Sequence, residues 1–174
     1  QRLFGRMDFK RAGLVILPDF TTRQALMVDS KAEKDANTAT LQTSQTSLPL
    51  LHRRANVEVR ATGDLAKVMA LRDGNYLSTS VFVHYFYEDT NDGRTLKAIT
   101  IASVPNGVLA DRYVPSADDT IWRAGRNAPT LGEPLRVRLV FDRLRAKRAW
   151  RVQKLESGPP GQAPAAGVPG DWNE

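Results

Sequence analysis

Runs of Val, Ile, Leu and Phe divide the chain into strand-like segments separated by Pro, Gly, Asn and Asp clusters. Residues 6–17 (RMDFKRAGLVIL) and 24–32 (QALMVDSKA) read as two strands joined by a turn over Pro-Asp-Phe-Thr-Thr-Arg, which makes a hairpin. Residues 33–48 are rich in Ala, Thr, Gln and Leu. With Asp35 and Asn37 near their start and Pro49 at their end, they predict a polar helix or an ordered loop. Three further strands are expected at 66–71, 78–88 (STSVFVHYFYE) and 96–104 (LKAITIASV), the last two joined by the turn sequence DTNDG. Residues 106–113 suggest a short helix, followed by a loop rich in Asp, Arg, Gly, Asn and Pro. Then come an alternating strand at 134–142 (PLRVRLVFD) and a last strand at 150–155.

This pattern fits one compact domain over residues 1–156. The Pro/Gly-rich stretch 157–174 reads as a flexible tail. A chain of 174 residues is long enough to bury one good core. Its 25 Lys+Arg against 19 Asp+Glu give a net charge of +6, which suits either a polyanionic partner such as nucleic acid or a merely soluble basic protein. With no cysteine, disulfides, zinc fingers and thiol nucleophiles are excluded, and a reducing cytoplasm fits. No apolar run approaches the ~18 residues of a membrane span, so no membrane is expected as a partner.

The chemistry is concentrated where the second strand ends. Side chains alternate faces along a strand, so Asp29 and Lys31 point the same way while Val28 and Ser30 point the other. An acid followed two residues later by a lysine, on the second strand of a hairpin, is the ending of the PD-(D/E)xK nuclease motif. In that arrangement carboxylates hold a hard divalent cation at the scissile phosphate, and the ammonium positions water and offsets developing charge. From the tripeptide alone, a solvated Lys and Asp on a hairpin face is the other reading.

The motif needs a second acid upstream. Asp19 follows Pro18 and so spells the motif literally, but at the tip of the hairpin it would stand about 33 Å from Asp29 at ~3.3 Å per residue. A turn centred on Pro18 and Asp19 instead places Asp8 across from Asp29, which selects Asp8, Asp29 and Lys31.

The segments GRMDFKR, LMVDSKAEK, TLQTSQ, TSVFVHYFYED, LKAITIASVPNGVLADRYVP, RAGRNAP and LRVRLVFDRLRAKRAWRVQKLE, in that order, resemble the SfiI family of type II restriction endonucleases. The likeness runs over about residues 5–156 and is weakest over 52–65. It implies an α/β (α+β) fold, with a mixed central sheet, flanking helices and a restriction-endonuclease-like PD-(D/E)xK core. It further implies Mg²⁺-dependent cleavage of double-stranded DNA at an interrupted, GC-rich palindrome by a homodimer or homotetramer. Carried across, the two metal acids fall on Asp8 and Asp29 and the lysine on Lys31; the mechanism expected here adds the backbone carbonyl of Ser30 as a third metal ligand. The chain departs from the family in starting just before Asp8, where the family has a further N-terminal helical region, and in its Pro/Gly tail.

LRVRLVF places Arg136 and Arg138 on one strand face, suited to bidentate contacts with guanine O6 and N7. In the family the corresponding strand supplies base-reading arginines. Arg123, Arg126 and Asn127 in WRAGRNAP are candidates for phosphate or base contact, with Gly125 permitting close backbone approach to DNA. Gln42 and Gln45 either touch DNA or form ordinary polar surface. His84 reads as a satisfied core or sheet histidine, His52 as a loop residue, and Trp122 and Trp150 as packing residues. The rival functions are another nuclease on the same core, such as a junction resolvase or repair nicking enzyme, and a DNA-binding module that does not cut.

Overall fold

Val, Ile, Thr, Phe and Tyr crowd the apolar runs, and the structure builds strands from most of them. The computed structural model describes residues 2–3, 12–16, 23–91, 93–125, 135–156 and 165–166; for 2–3, 12–16 and 165–166 it describes the backbone alone. In chain order the elements are β1 (Arg2–Leu3), β2 (Ala12–Ile16), β3 (Gln24–Glu33), β4 (Thr38–Gln42), β5 (Leu50–Arg54), β6 (Val57–Ala61), β7 (Val68–Leu71), β8 (Gly74–Thr90), β9 (Gly93–Val104), α1 (Ala110–Tyr113), β10 (Trp122–Ala124), β11 (Arg136–Val140), α2 (Phe141–Lys147), β12 (Val152–Glu156) and β13 (Ala165–Ala166). Single 3-10 turns lie at Thr43–Gln45, Gly107–Leu109 and Ala149–Arg151.

A mixed sheet runs in the order β1-β2-β3-β8-β9-β12-β13, with β7 beside the start of β8. Its two central strands, β3 and β8, are parallel, and their neighbours are antiparallel. A second, three-stranded sheet in the order β10-β11-β4 packs on one face of the first. The core between them joins Phe82, Ala102, Val104 and Val152 of the large sheet to Leu41, Val137, Leu139 and Trp122 of the small one, capped by Phe141 and Leu144 of α2. The expected mixed sheet is present, and among the described residues α-helix is confined to α1 and α2, of 4 and 7 residues.

Four local expectations are corrected. Residues 33–48 hold neither a helix nor a loop alone: Thr38–Gln42 is β4, because Ala39 and Leu41 alternate into the core with no exposed surface. His52 lies not in a loop but in β5, buried, within a hairpin whose turn places Ala55 and Asn56 at φ 46° and 62°. That is a two-residue turn with both central residues left-handed, and without glycine it carries little sequence signal. Trp122–Ala124, read as loop, is an edge strand paired with β11, and α2 starts at Phe141 inside the stretch read as strand. The segment 157–174 is outside the described residues except for Ala165–Ala166, which pairs with Leu155 and Glu156.

The hairpin register also differs from expectation. A turn centred on Pro18 and Asp19 would set Ala12 opposite Ala25, whereas Ala12 faces Val28 and Leu14 faces Leu26. The expected register would have set Leu14 against Arg23; the observed one matches apolar residues instead, and such matching is what fixes register when a face is buried.

Candidate active site

The buried face of β3 changes character at Asp29. Ala25 and Met27 are 0% and 4% exposed, and the same face continues as Asp29, Lys31 and Glu33. Across the parallel ladder these three face Phe82, His84 and Phe86 of β8. The described β2 ladder stops at Ala12 and Val28, so among the described residues Asp29 and Ser30 have a ladder partner on the β8 side only. A strand buried along half its length thus holds a carboxylate and an ammonium rigidly at the point where burial ends.

Lys31 Nζ lies 3.0 Å from Asp29 Oδ2, with the two side chains 19% and 12% exposed. The side-chain amide of Gln45 donates to the same oxygen. Both donors converge on Oδ2. A partly exposed carboxylate held by an ammonium and an amide offers oxygen as the donor atom, which suits a hard cation that keeps waters and phosphate oxygens among its ligands. Among the described residues no cluster of three or more His, Cys, Asp or Glu side chains that could hold a metal ion forms, at this site or elsewhere. Asp8 lies outside the described residues, as does Asp19. Asp8 stands four residues before Ala12, whose partner Val28 adjoins Asp29; Asp19 follows Ile16, whose partner Gln24 is at the far end of β3.

Glu33 turns away from this pair and accepts from Thr40 N at 2.8 Å and Thr40 Oγ1 at 3.1 Å, so β3 is clasped to β4 of the small sheet. The outer face of that sheet carries the arginines. Arg123 faces Arg138 in the β10–β11 ladder, Arg138 faces Thr40, and Arg136 faces Gln42. Sequence reading missed what organises them. Asp35 Oδ2 lies 3.3 Å from both Arg123 Nη2 and Arg138 Nη1, and its Oδ1 accepts from Asn37 N at 3.0 Å. Burial pushes the Asp35 carboxyl up, but the Asn37 amide, the Thr38 hydroxyl and the two guanidinium groups together outweigh it and hold it below the usual range. The Asx-turn pattern Asp35-x-Asn37 is the available signal, which fits the start of a polar helix or an ordered loop equally and does not point to the arginines.

Other expectations sort by burial. Gln45 is 6% exposed and fully engaged, so it is not ordinary polar surface. Gly125 gives close approach to the chain itself: a Cβ there would lie 2.6 Å from the Arg136 carbonyl oxygen, which accepts from Gly125 N at 3.2 Å. Arg126 and Asn127 are outside the described residues. Trp122 is fully buried, its indole donating to Pro49 O at 2.9 Å. Arg151 is internal, bonded to the Tyr113 hydroxyl and stacked on Trp150. Arg53 is held bidentately by Asp118. His84 is a core residue, as expected, but both its ring nitrogens are buried and without a hydrogen-bond partner.

Comparison with known proteins places this arrangement. The family model described as "Type II restriction enzyme SfiI" matches residues 1–155. The type II restriction enzyme SfiI of Streptomyces fimbriatus is 34% identical over 166 residues, covering 89% of this chain and 62% of that protein. The crystal structure of tetrameric SfiI bound to cognate DNA superposes with a TM-score of 0.79 at 28% identity, covering 94% of this chain and 65% of that one. The restriction endonuclease BglI bound to its DNA recognition sequence shares the fold, with a TM-score of 0.64 at 20% identity over 79% of this chain and 55% of that one. The chain spans just under two thirds of the length of the SfiI proteins it matches. Among the described residues no helix is long and apolar enough to cross a membrane. The family model spans nearly the whole described fold, from residue 1 to residue 155: this chain belongs to the SfiI type II restriction enzyme family.

Proposed function

We propose that the chain is a sequence-specific, Mg²⁺-dependent endonuclease that cuts both strands of DNA at an interrupted, GC-rich palindrome in the cytoplasm. The observation that carries this reading is the Asp29–Lys31 pair, 3.0 Å apart on one strand face, beside the arginine-bearing outer face of the small sheet. Family membership and the DNA named in the SfiI and BglI structures support it.

Asp8, Asp29 and the Ser30 carbonyl would hold the cation, whose chemistry is to stabilise charge on the scissile phosphate and make bound water more acidic. Asp29 would offer it a carboxylate oxygen while Lys31 and Gln45 hold Oδ2. Lys31 aligns the attacking water and offsets charge on the phosphoryl oxygens. Attack in line at phosphorus forms the new O–P bond and breaks the bond to the 3′ oxygen, which takes up a proton and leaves as a 3′-hydroxyl. Arg136 and Arg138 read guanine edges, while Arg123, Arg126 and Asn127 contact phosphates or bases. A palindrome has twofold symmetry, so a homodimer is the smallest assembly that cuts both strands together, and the tetramer named for SfiI suggests two such dimers.

Digesting a random-sequence plasmid library with Mg²⁺ and sequencing the ends tests this. Ends at one interrupted palindrome are expected. Nicks scattered over sequence favour a repair-type nuclease, and binding without any cutting favours a DNA-binding module.

A further inference from the structure

Gln45 is placed where the two halves of the molecule meet. It ends the 3-10 turn that follows β4, and each polar group of its side chain has a separate task. Nε2 donates to Asp29 Oδ2 on the large sheet. Oε1 accepts from the backbone amide of Gln42 at 2.9 Å, on the small sheet. Its own carbonyl accepts from the Ser80 hydroxyl at 2.5 Å, which anchors the turn to β8. Gln42 in turn is the direct ladder partner of Arg136. A buried amide with both ends bonded has little freedom to turn, so movement at one end is felt at the other.

We propose that Gln45 is a positioning residue that links base reading by Arg136 to the orientation of the Asp29 carboxylate. The inference rests on the cleavage reading above. When β11 and β4 settle against the correct base pairs, the Gln42 amide is held in place, Gln45 Nε2 stays on Asp29 Oδ2, and the carboxylate keeps its orientation. When a wrong base pair displaces Arg136, the strained ladder releases the amide and the carboxylate loses one of its two orienting donors. Selectivity would then appear in the cutting step, beyond what differences in DNA affinity supply.

The test uses Gln45→Met, which keeps the buried volume, and Gln45→Glu, which keeps an acceptor for Gln42 N but removes the donor to Asp29. Single-turnover cleavage of a cognate duplex should slow by about 10- to 100-fold in both, as expected for losing a hydrogen bond to a charged group. Affinity for the same duplex in Ca²⁺ should stay within about threefold, since no base contact is removed. Mn²⁺ titration of the DNA complex by electron paramagnetic resonance should show about tenfold weaker binding, the usual cost of losing an outer-sphere partner. Combined with Arg136→Ala, the slowing should be less than the product of the two single effects.

Unmodified cleavage rates and Mn²⁺ binding in both variants overturn the proposal, and so do fully multiplicative effects with Arg136→Ala. Should Gln45→Met fail to fold, Gln45→Glu decides alone. Asp29→Ala is the control: loss of cutting and of Mn²⁺ there, with both Gln45 variants normal, overturns the link and leaves the cleavage reading standing. An unmodified protein that neither cuts nor binds Mn²⁺ overturns both.

Discussion

Lys31 and His84 are direct partners in the parallel β3–β8 ladder, so the lysine of the site is borne opposite a histidine with no exposed surface. Burial pushes the His84 imidazole below its usual range, with Glu33 and Asp35 opposing. Burial lowers His52 as well; the Arg53 backbone, as an acceptor, opposes this and the Arg54 charge adds to the lowering. Both therefore stay neutral in the folded chain at a pH where the unfolded chain protonates them. The unfolded state binds more protons below about 6.5, so stability is complete above that value and falls as pH drops through it toward the folded pKa. Urea melts should give a lower midpoint at pH 5.5 than at pH 7.5. His52→Leu with His84→Leu should flatten this difference; an unmodified protein with equal midpoints contradicts the assignment.

Replacing Lys31 or Asp29 by alanine should lower cleavage by at least about 10²- to 10³-fold while leaving the melting temperature near that of the parent, because in the proposed reaction both act at the phosphate, from a partly exposed face. The sharper comparison is upstream. Asp8→Ala should be as damaging and Asp19→Ala nearly neutral; the reverse outcome would show that the chain enters β2 differently from the reading given above.

Arg136→Ala and Arg138→Ala should each lose about 1–3 kcal/mol of discrimination at a G·C pair, measured by competition between cognate and mismatched duplexes in Ca²⁺. Arg53→Ala should not alter discrimination, because that guanidinium is held by Asp118. Asp35→Asn should reduce discrimination without removing any cation, since it frees Arg123 and Arg138 from their shared anchor. Equal losses on both duplexes for the β11 arginines would make them phosphate contacts.

Gly125→Ala should impair recognition with little effect on Mn²⁺ binding. A methyl group there meets the Arg136 carbonyl at 2.6 Å, so β11 must shift under the arginine it carries. Unchanged specificity in that variant would mean that the edge strand β10 yields instead.

Light scattering with and without cognate duplex should show at least a dimer on DNA, and a plasmid with two sites should be cut faster than one with a single site if dimers pair. A DNA-bound monomer that only nicks contradicts the paired arrangement.

The strands with strong apolar alternation were legible in sequence, and β3, β8, β9 and β11 lie where the pattern put them. The Asp29–Lys31 pair was legible too, because a period of two is enough to place both on one face. What was hidden depended on partners far away in sequence. β4 looks polar and helical until Ala39 and Leu41 meet Leu139 and Val137. The β5–β6 turn uses Ala55 in a left-handed conformation that its identity does not advertise. The Asp35 anchor and the Gln45 bridge join residues from separate strands, and only the packing of the two sheets brings them together.

The parallel pairing of β3 with β8 has a further bearing on how the molecule comes into being. Residues 34–73 must leave β3, form β4 through β7, and return before the ladder can close, so these contacts are distant in sequence and slow to form. During synthesis, Asp29 and Lys31 emerge long before His84, and longer still before Arg136 and Arg138. A growing chain therefore carries its reactive side chains with neither the strand that stiffens them nor the strand that would aim them. In the proposed reading the full set of side chains is present only once translation has passed β11, and a product truncated before it lacks Arg136 and Arg138.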